Sequence, residues 1–169
     1  NKKANLKKEQ ILKDAFVVVT SNGDEAELRF SHGEEITVLE KSRIQVPQVS
    51  PDTGEAPEFF VFDGAIRFKS TQKMTKASKL EVKSSFFDLK LPAGLDVLIE
   101  VDKKKPSAQF KVIKGEMTVA FLDFDQKVTL KSGESVMFVG ENDEKGNLKY
   151  DYFLEGKRMP HGSLKEKDK

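Results

Sequence analysis

Twice in this chain two apolar residues run into a polar residue and a glycine, and then into an alternating strand. The first copy is Val61-Phe62-Asp63-Gly64-Ala65-Ile66-Arg67-Phe68 and the second is Val112-Ile113-Lys114-Gly115-Glu116-Met117-Thr118-Val119. Glycine weakens a strand, so inside a strand pattern it marks a place where the backbone bends or passes close to another segment. The second copy continues through Lys127-Val128-Thr129-Leu130-Lys131, the turn Ser132-Gly133, and Ser135-Val136-Met137-Phe138. A chain punctuated in this way is built from short strands and turns.

The same period of two runs through most of the remainder. Ala26, Leu28 and Phe30 share parity, Ile36 and Val38 follow, then Ile44 and Val46, with Asn22-Gly23 and His32-Gly33 as turn signals. Three prolines and a glycine between Pro47 and Pro57 predict a surface loop, and Ser70 to Ser78 a second polar connection. Strands resume at Leu80 and Val82, at Phe87, Leu89 and Leu91, and, past the turn Pro92-Ala93-Gly94, at Val97, Ile99 and Val101. Lys103 to Lys105 read as a solvated hairpin tip, Phe110 and Val112 open the next strand, and the last clear strand is Leu148 to Leu154. Strands 59–62, 86–91 and 135–139 carry apolar residues on both parities, which predicts coverage by protein on both faces. The expected fold is all-β, a twisted β-solenoid or an open sandwich-like stack of short antiparallel strands, with at most one short N-terminal helix. Residues 1–14 are expected to be a linker or leading strand, 15–155 the domain, and 156–169 a charged C-terminal tail.

Composition narrows the function classes. A chain of 169 residues buries roughly 70% of its unfolded surface and needs no covalent staples. It contains no cysteine, which removes disulfides, thiolate catalysis and cysteine-ligated zinc. With 29 basic and 28 acidic residues, neither sign dominates, so no nucleic-acid groove is expected. No apolar run reaches the roughly 20 residues of a membrane helix, so membrane association is expected only through a segment outside this chain. The lysines at 2, 3, 7 and 8 fit an N-terminal linker.

No constellation for catalysis emerges. His32 lies in a turn and His161 in the tail, without the spacing of a metal or acid–base pair. Asp123 and Asp125, and the acidic cluster Glu141 to Glu144, lack the alternating ligands and central glycine of a calcium loop. There is no phosphate-binding glycine loop or dinucleotide fingerprint, and no cofactor is expected. Phe59-Phe60 and Phe86-Phe87 read as core residues as readily as a ligand slot.

The order Glu25 to Leu39, Ser42 to Val46, Phe62 to Phe68, Leu80 to Ser84 and Phe110 to Val139 resembles the FecR domain of bacterial envelope proteins over most of residues 11–140. Where that family commonly has a Gly-x-x-Gly-Thr-like segment, this chain reads Leu89-Lys90-Leu91-Pro92-Ala93-Gly94-Leu95-Asp96, with a single glycine, so that turn is expected to differ. The cytoplasmic segment, membrane helix and small signalling domain that accompany the domain in sigma-factor regulators have no counterpart in these residues. The resemblance implies a non-enzymatic domain in the periplasm or cell envelope that senses or regulates by binding a protein. The alternative is a structural module associated with glycan or peptidoglycan. The candidate partner-binding residues are Tyr150, Tyr152 and Phe153: the tyrosines alternate with Leu148 and Leu154 on one face of the last strand, and Phe153 faces the other way.

Overall fold

The computed structural model describes residues 15–30, 33–47, 58–70, 80–121, 127–142, 144–145, 148–154 and 157–158. Every regular element among them is a strand. In chain order these are β1 (Phe16–Val19), β2 (Ala26–Arg29), β3 (Glu34–Val38), β4 (Arg43–Val46), β5 (Glu58–Ser70), β6 (Leu80–Lys83) and β7 (Phe87–Leu91). They continue with β8 (Asp96–Asp102), β9 (Ser107–Lys114), β10 (Glu116–Phe121), β11 (Lys127–Lys131), β12 (Ser135–Asn142), β13 (Leu148–Leu154) and β14 (Lys157–Arg158).

The strands form one curled, open sheet that divides into two ladders. Ladder one runs β1-β4-β5-β6-β7-β10-β11 and ladder two runs β2-β3-β5-β8-β9-β12-β13-β14. Among the described strands only β5 and β6 pair parallel. Of the two expected architectures the chain adopts the open, sandwich-like one. Its tight turns reverse the chain between neighbours, whereas a solenoid needs parallel stacking of successive turns.

The chain passes between the ladders at several connections, and two of these crossings fall on the glycine-centred units. The first half of β5 pairs β4 and β6, with Val61 opposite Ile44. From Gly64, opposite Val101, it pairs β8 and β3. The second crossing runs the other way: β9 belongs to ladder two, Gly115 follows it, and β10 belongs to ladder one. Gly64 and Gly115 have φ of +97° and +96°, a region L side chains rarely enter. A serine hydroxyl clips each crossing. Ser42 Oγ accepts the Ala65 N–H at 2.8 Å and lies 3.1 Å from the Ala65 carbonyl, and Ser132 Oγ accepts the Gly115 N–H at 3.0 Å and donates to the Gly115 carbonyl at 3.2 Å. Ser42 is buried and is itself held by Thr20, whose Oγ1 accepts the Ser42 N–H at 2.9 Å.

Alternation fills the space between the ladders. Phe59, Phe87, Leu89 and Leu91 from ladder one and Ile36, Phe68, Phe110 and Phe138 from ladder two are fully buried, each worth roughly 1.5–3 kcal/mol of removed apolar surface. Phe87 meets Phe110 edge-on across the core at 4.8 Å, and Phe30 meets Phe59 at 5.2 Å. The expectation of two covered faces is corrected for three segments. Phe60, Phe62, Phe86, Met137 and Val139, on the second parity, are half-buried, and Asp88 and Lys90 are exposed. Among the described residues no second layer lies on them: Phe60 and Phe62 pack on each other at 4.8 Å, and the Arg43 guanidinium sits 5.0 Å over the Phe62 ring. Lys103 to Lys105 form the β8–β9 turn, with Asp102 Oδ1 accepting the N–H groups of Lys104 and Lys105 at 2.8 and 3.1 Å.

Candidate partner-binding edge

β13 is paired along its whole length on one side, from Val136 opposite Leu154 to Asn142 opposite Leu148. On its other side β14 covers only Phe153 and Leu154. Residues 148–152 thus form an open edge among the described residues. The direction of the backbone groups follows from one anchor. The Gly140 N–H donates to the Pro106 carbonyl at 2.6 Å, towards β9, so alternation turns Val139 and Glu141 towards β13. Their partners Asp151 and Lys149 point back at β12. The N–H and C=O of Leu148, Tyr150 and Tyr152 consequently face the open edge, where an added strand would find them.

Within the stretch expected to be a charged tail, Lys157–Arg158 return as β14 against Leu154 and Phe153. Backbone pairing requires no apolar side chain, so a charged dipeptide can extend an edge without leaving a periodic signal. The structure brings the candidate residues into one strand on different faces. Position 152 lies opposite the buried Phe138 and position 150 opposite the buried Gly140, whereas Phe153 is half-buried opposite Met137 on the outer face. The open edge unites Tyr150 and Tyr152 through their backbone, and Phe153 belongs to the surface beside it.

The remaining candidates do not assemble. His32, His161, Asp123, Asp125 and Asp143 lie outside the described residues, as do the whole of 1–14. Among the described residues no group of three His, Cys, Asp or Glu could hold a metal ion, and no helix is long and apolar enough to cross a membrane. Phe59 is buried in the core and Phe60 lies on the opposite face, so the Phe59-Phe60 pair lines no internal slot. The outer faces carry ion pairs: Lys83 to Glu58 at 2.9 Å, which raises the lysine above its ordinary pKa through that hydrogen bond, and a two-point contact of Arg67 with Asp96 at 2.9 and 2.8 Å. Sequence reasoning missed Ser42 and Thr20, which lie 22 residues apart and meet where Ser42 clips the crossing at Ala65, 23 residues further along the chain.

No family model matches this chain, and no curated protein matches it. Its fold is similar to two crystal structures described as a "putative anti-sigma factor" from Parabacteroides distasonis. They superimpose with TM-scores of 0.62 and 0.60 at 12% sequence identity, over 80% of this chain. The chain spans about three fifths of the length of those proteins, 59% and 58%. At that identity the likeness is one of fold: an open, curled, all-β domain of the kind found in these proteins.

Proposed function

We propose that this chain is a non-enzymatic, FecR-like sensing or regulatory domain of the bacterial envelope that works by holding another protein, and that the partner adds a strand to the open edge of β13. The observation that carries this reading is that edge itself, with the backbone of Leu148, Tyr150 and Tyr152 turned outward and β14 stopping at Phe153. The likeness of fold to proteins described as anti-sigma factors supports a regulatory role. Strand addition takes affinity from main-chain hydrogen bonds and specificity from flanking side chains, and tyrosine suits such a margin because its ring packs while its hydroxyl finds a partner. Membrane attachment, in this reading, is supplied by a segment outside these residues.

The test is crosslinking capture from the native envelope, with isolated peptidoglycan as a parallel bait. Tyr150→Ala with Tyr152→Ala should abolish protein capture while the melting temperature stays near the parent value. Tyr150→Pro should do the same, since it removes an outward N–H and leaves the β12–β13 ladder intact. A large fall in melting temperature in the double alanine variant, with capture retained by the proline variant, would assign the tyrosines to the core. Capture of peptidoglycan alone would favour the structural, glycan-associated reading.

A further inference from the structure

Four strands close the two ladders among the described residues: β1, β11, β2 and β14. Three carry charge at the positions that discourage pairing with another chain: Glu27 and Arg29 in β2, Lys127 and Lys131 in β11, and Lys157 and Arg158 in β14. β1, although only four residues long, carries no such charge. It reads Phe16-Val17-Val18-Val19, without charge, proline or glycine, and pairs β4 in unbroken register.

The open side of β1 is defined by one hydrogen bond. Thr20 N–H donates to the Ser42 carbonyl at 3.0 Å, towards β4, so Val18 and Phe16 also turn their backbone groups to β4. Val17 and Val19 therefore present their N–H and C=O to the open edge. Their side chains lie on the outer face at 47% and 69% exposure, among the few large apolar residues left in solvent. Val17 lies opposite Gln45 and Val19 opposite Arg43, whose guanidinium sits over Phe62, so the valines are the apolar margin of an outer face whose next strand is polar.

We infer that β1 is a self-association edge, on which a second copy of this chain pairs antiparallel about a two-fold axis through Val18. In that register Val17 meets Val19 of the second copy and Val19 meets its Val17. Both are hydrogen-bonded pairs, so four backbone hydrogen bonds form and both ladders join into one continuous sheet. The parity is preserved: Val18 stays on the core side and the four outer valines form two adjacent cross-strand pairs. The charge pattern fits a second copy as well. Arg43 lies one strand in from the edge on each copy, and each of the two crossing rows reads Arg43, Val19, Val17, Gln45, so each row holds one arginine and the two lie on strands three spacings apart. At about 4.8 Å per spacing that is about 14 Å, beyond the screening length of roughly 8 Å at physiological salt. An edge carrying a net charge would repel its own image, and this one does not.

The contact is short compared with a standard interface, so the association is expected to be concentration-dependent. Sedimentation velocity across a concentration series, on the chain as it exists, should show a monomer–dimer equilibrium. Amide hydrogen exchange should slow at Val17 and Val19 as concentration rises, and stay unchanged at Val18. Val17→Lys with Val19→Lys should leave a monomer at every concentration with an unchanged melting curve, because both side chains are already solvent-facing. Val17→Thr with Val19→Thr should keep the dimer, since the backbone contacts survive. A monomer throughout the series, or a dimer that persists in the lysine variant, overturns the inference.

Discussion

Substituting Gly64 by alanine tests the crossing on which the two-ladder arrangement depends. A Cβ built at Gly64 would lie 2.2 Å from Ser42 Oγ and 2.4 Å from Ser42 Cα, at a φ of +97°. Two costs add. Holding an L residue at that φ costs about 1–3 kcal/mol, and forcing extra volume into a packed site about 1–3 kcal/mol more, here at the upper end because a backbone atom must move. The expected loss is about 4 kcal/mol, or roughly 8–16 °C in Tm for a domain of this size. Gly133 supplies the control: its φ is +88° and nothing lies within 4 Å of an added Cβ, so Gly133→Ala should carry only the conformational cost of about 1–2 kcal/mol. Gly115 falls between them, with φ of +96° and the Gly94 carbonyl oxygen at 3.0 Å. Urea unfolding of the three variants, read by circular dichroism and checked by calorimetry, should rank them Gly64, Gly115, Gly133 from greatest loss to least. Adding Ser42→Gly to Gly64→Ala removes the contact with Oγ but leaves the one with Cα, so it should restore little. A loss in Gly64→Ala no larger than in Gly133→Ala would falsify the close packing of Ser42 against this crossing.

The two serine clips should differ in weight: Ser42→Ala strands the half-buried Ala65 N–H and should cost about 1–3 kcal/mol, whereas exposed Ser132→Ala should stay within about 0.5 kcal/mol, both by denaturant titration. Glu34 is 1% exposed at the start of β3, and its Oε2 has no hydrogen-bond partner among the described residues, so Glu34→Met should raise stability by about 1–3 kcal/mol in the same assay. A clear loss in that variant would reveal a partner for the carboxylate. Lys83 should titrate above an ordinary lysine in an NMR pH series and return towards it in Glu58→Gln. Because the folded-state value is raised, the pair's contribution is present below the unfolded lysine pKa and is lost as pH climbs through the folded one.

Much of this fold was legible in the sequence because strand parity is a local property. Leu28, Ile36, Val38, Ile44, Val97, Ile99 and Val101 keep a period of two among mostly polar neighbours, and each proved to face the core. Both glycine-centred units also carried their meaning locally, since a glycine amid β-branched and aromatic residues has few reasons to be there other than a positive φ or a close approach, and both have one. The second face of β5, β7 and β12 was not legible. Apolar residues on both parities look alike whether a second layer covers them or whether, as with Phe60, Phe62 and Arg43, they shelter one another on an outer surface. Nor could the chain alone say which strands would end a ladder. Pairing joins residues far apart, as with Ser42 and Ala65 or Arg67 and Asp96, and the edges are whatever those distant pairings leave over. The sequence by itself determined which side of each strand is apolar and where the backbone must bend. Only the tertiary structure decided that Gly64 and Gly115 carry the chain between ladders in opposite directions and that β1 and β13 keep open edges among the described residues, because hydrogen-bond partners in a sheet are assigned by the whole topology and not by neighbours in the chain.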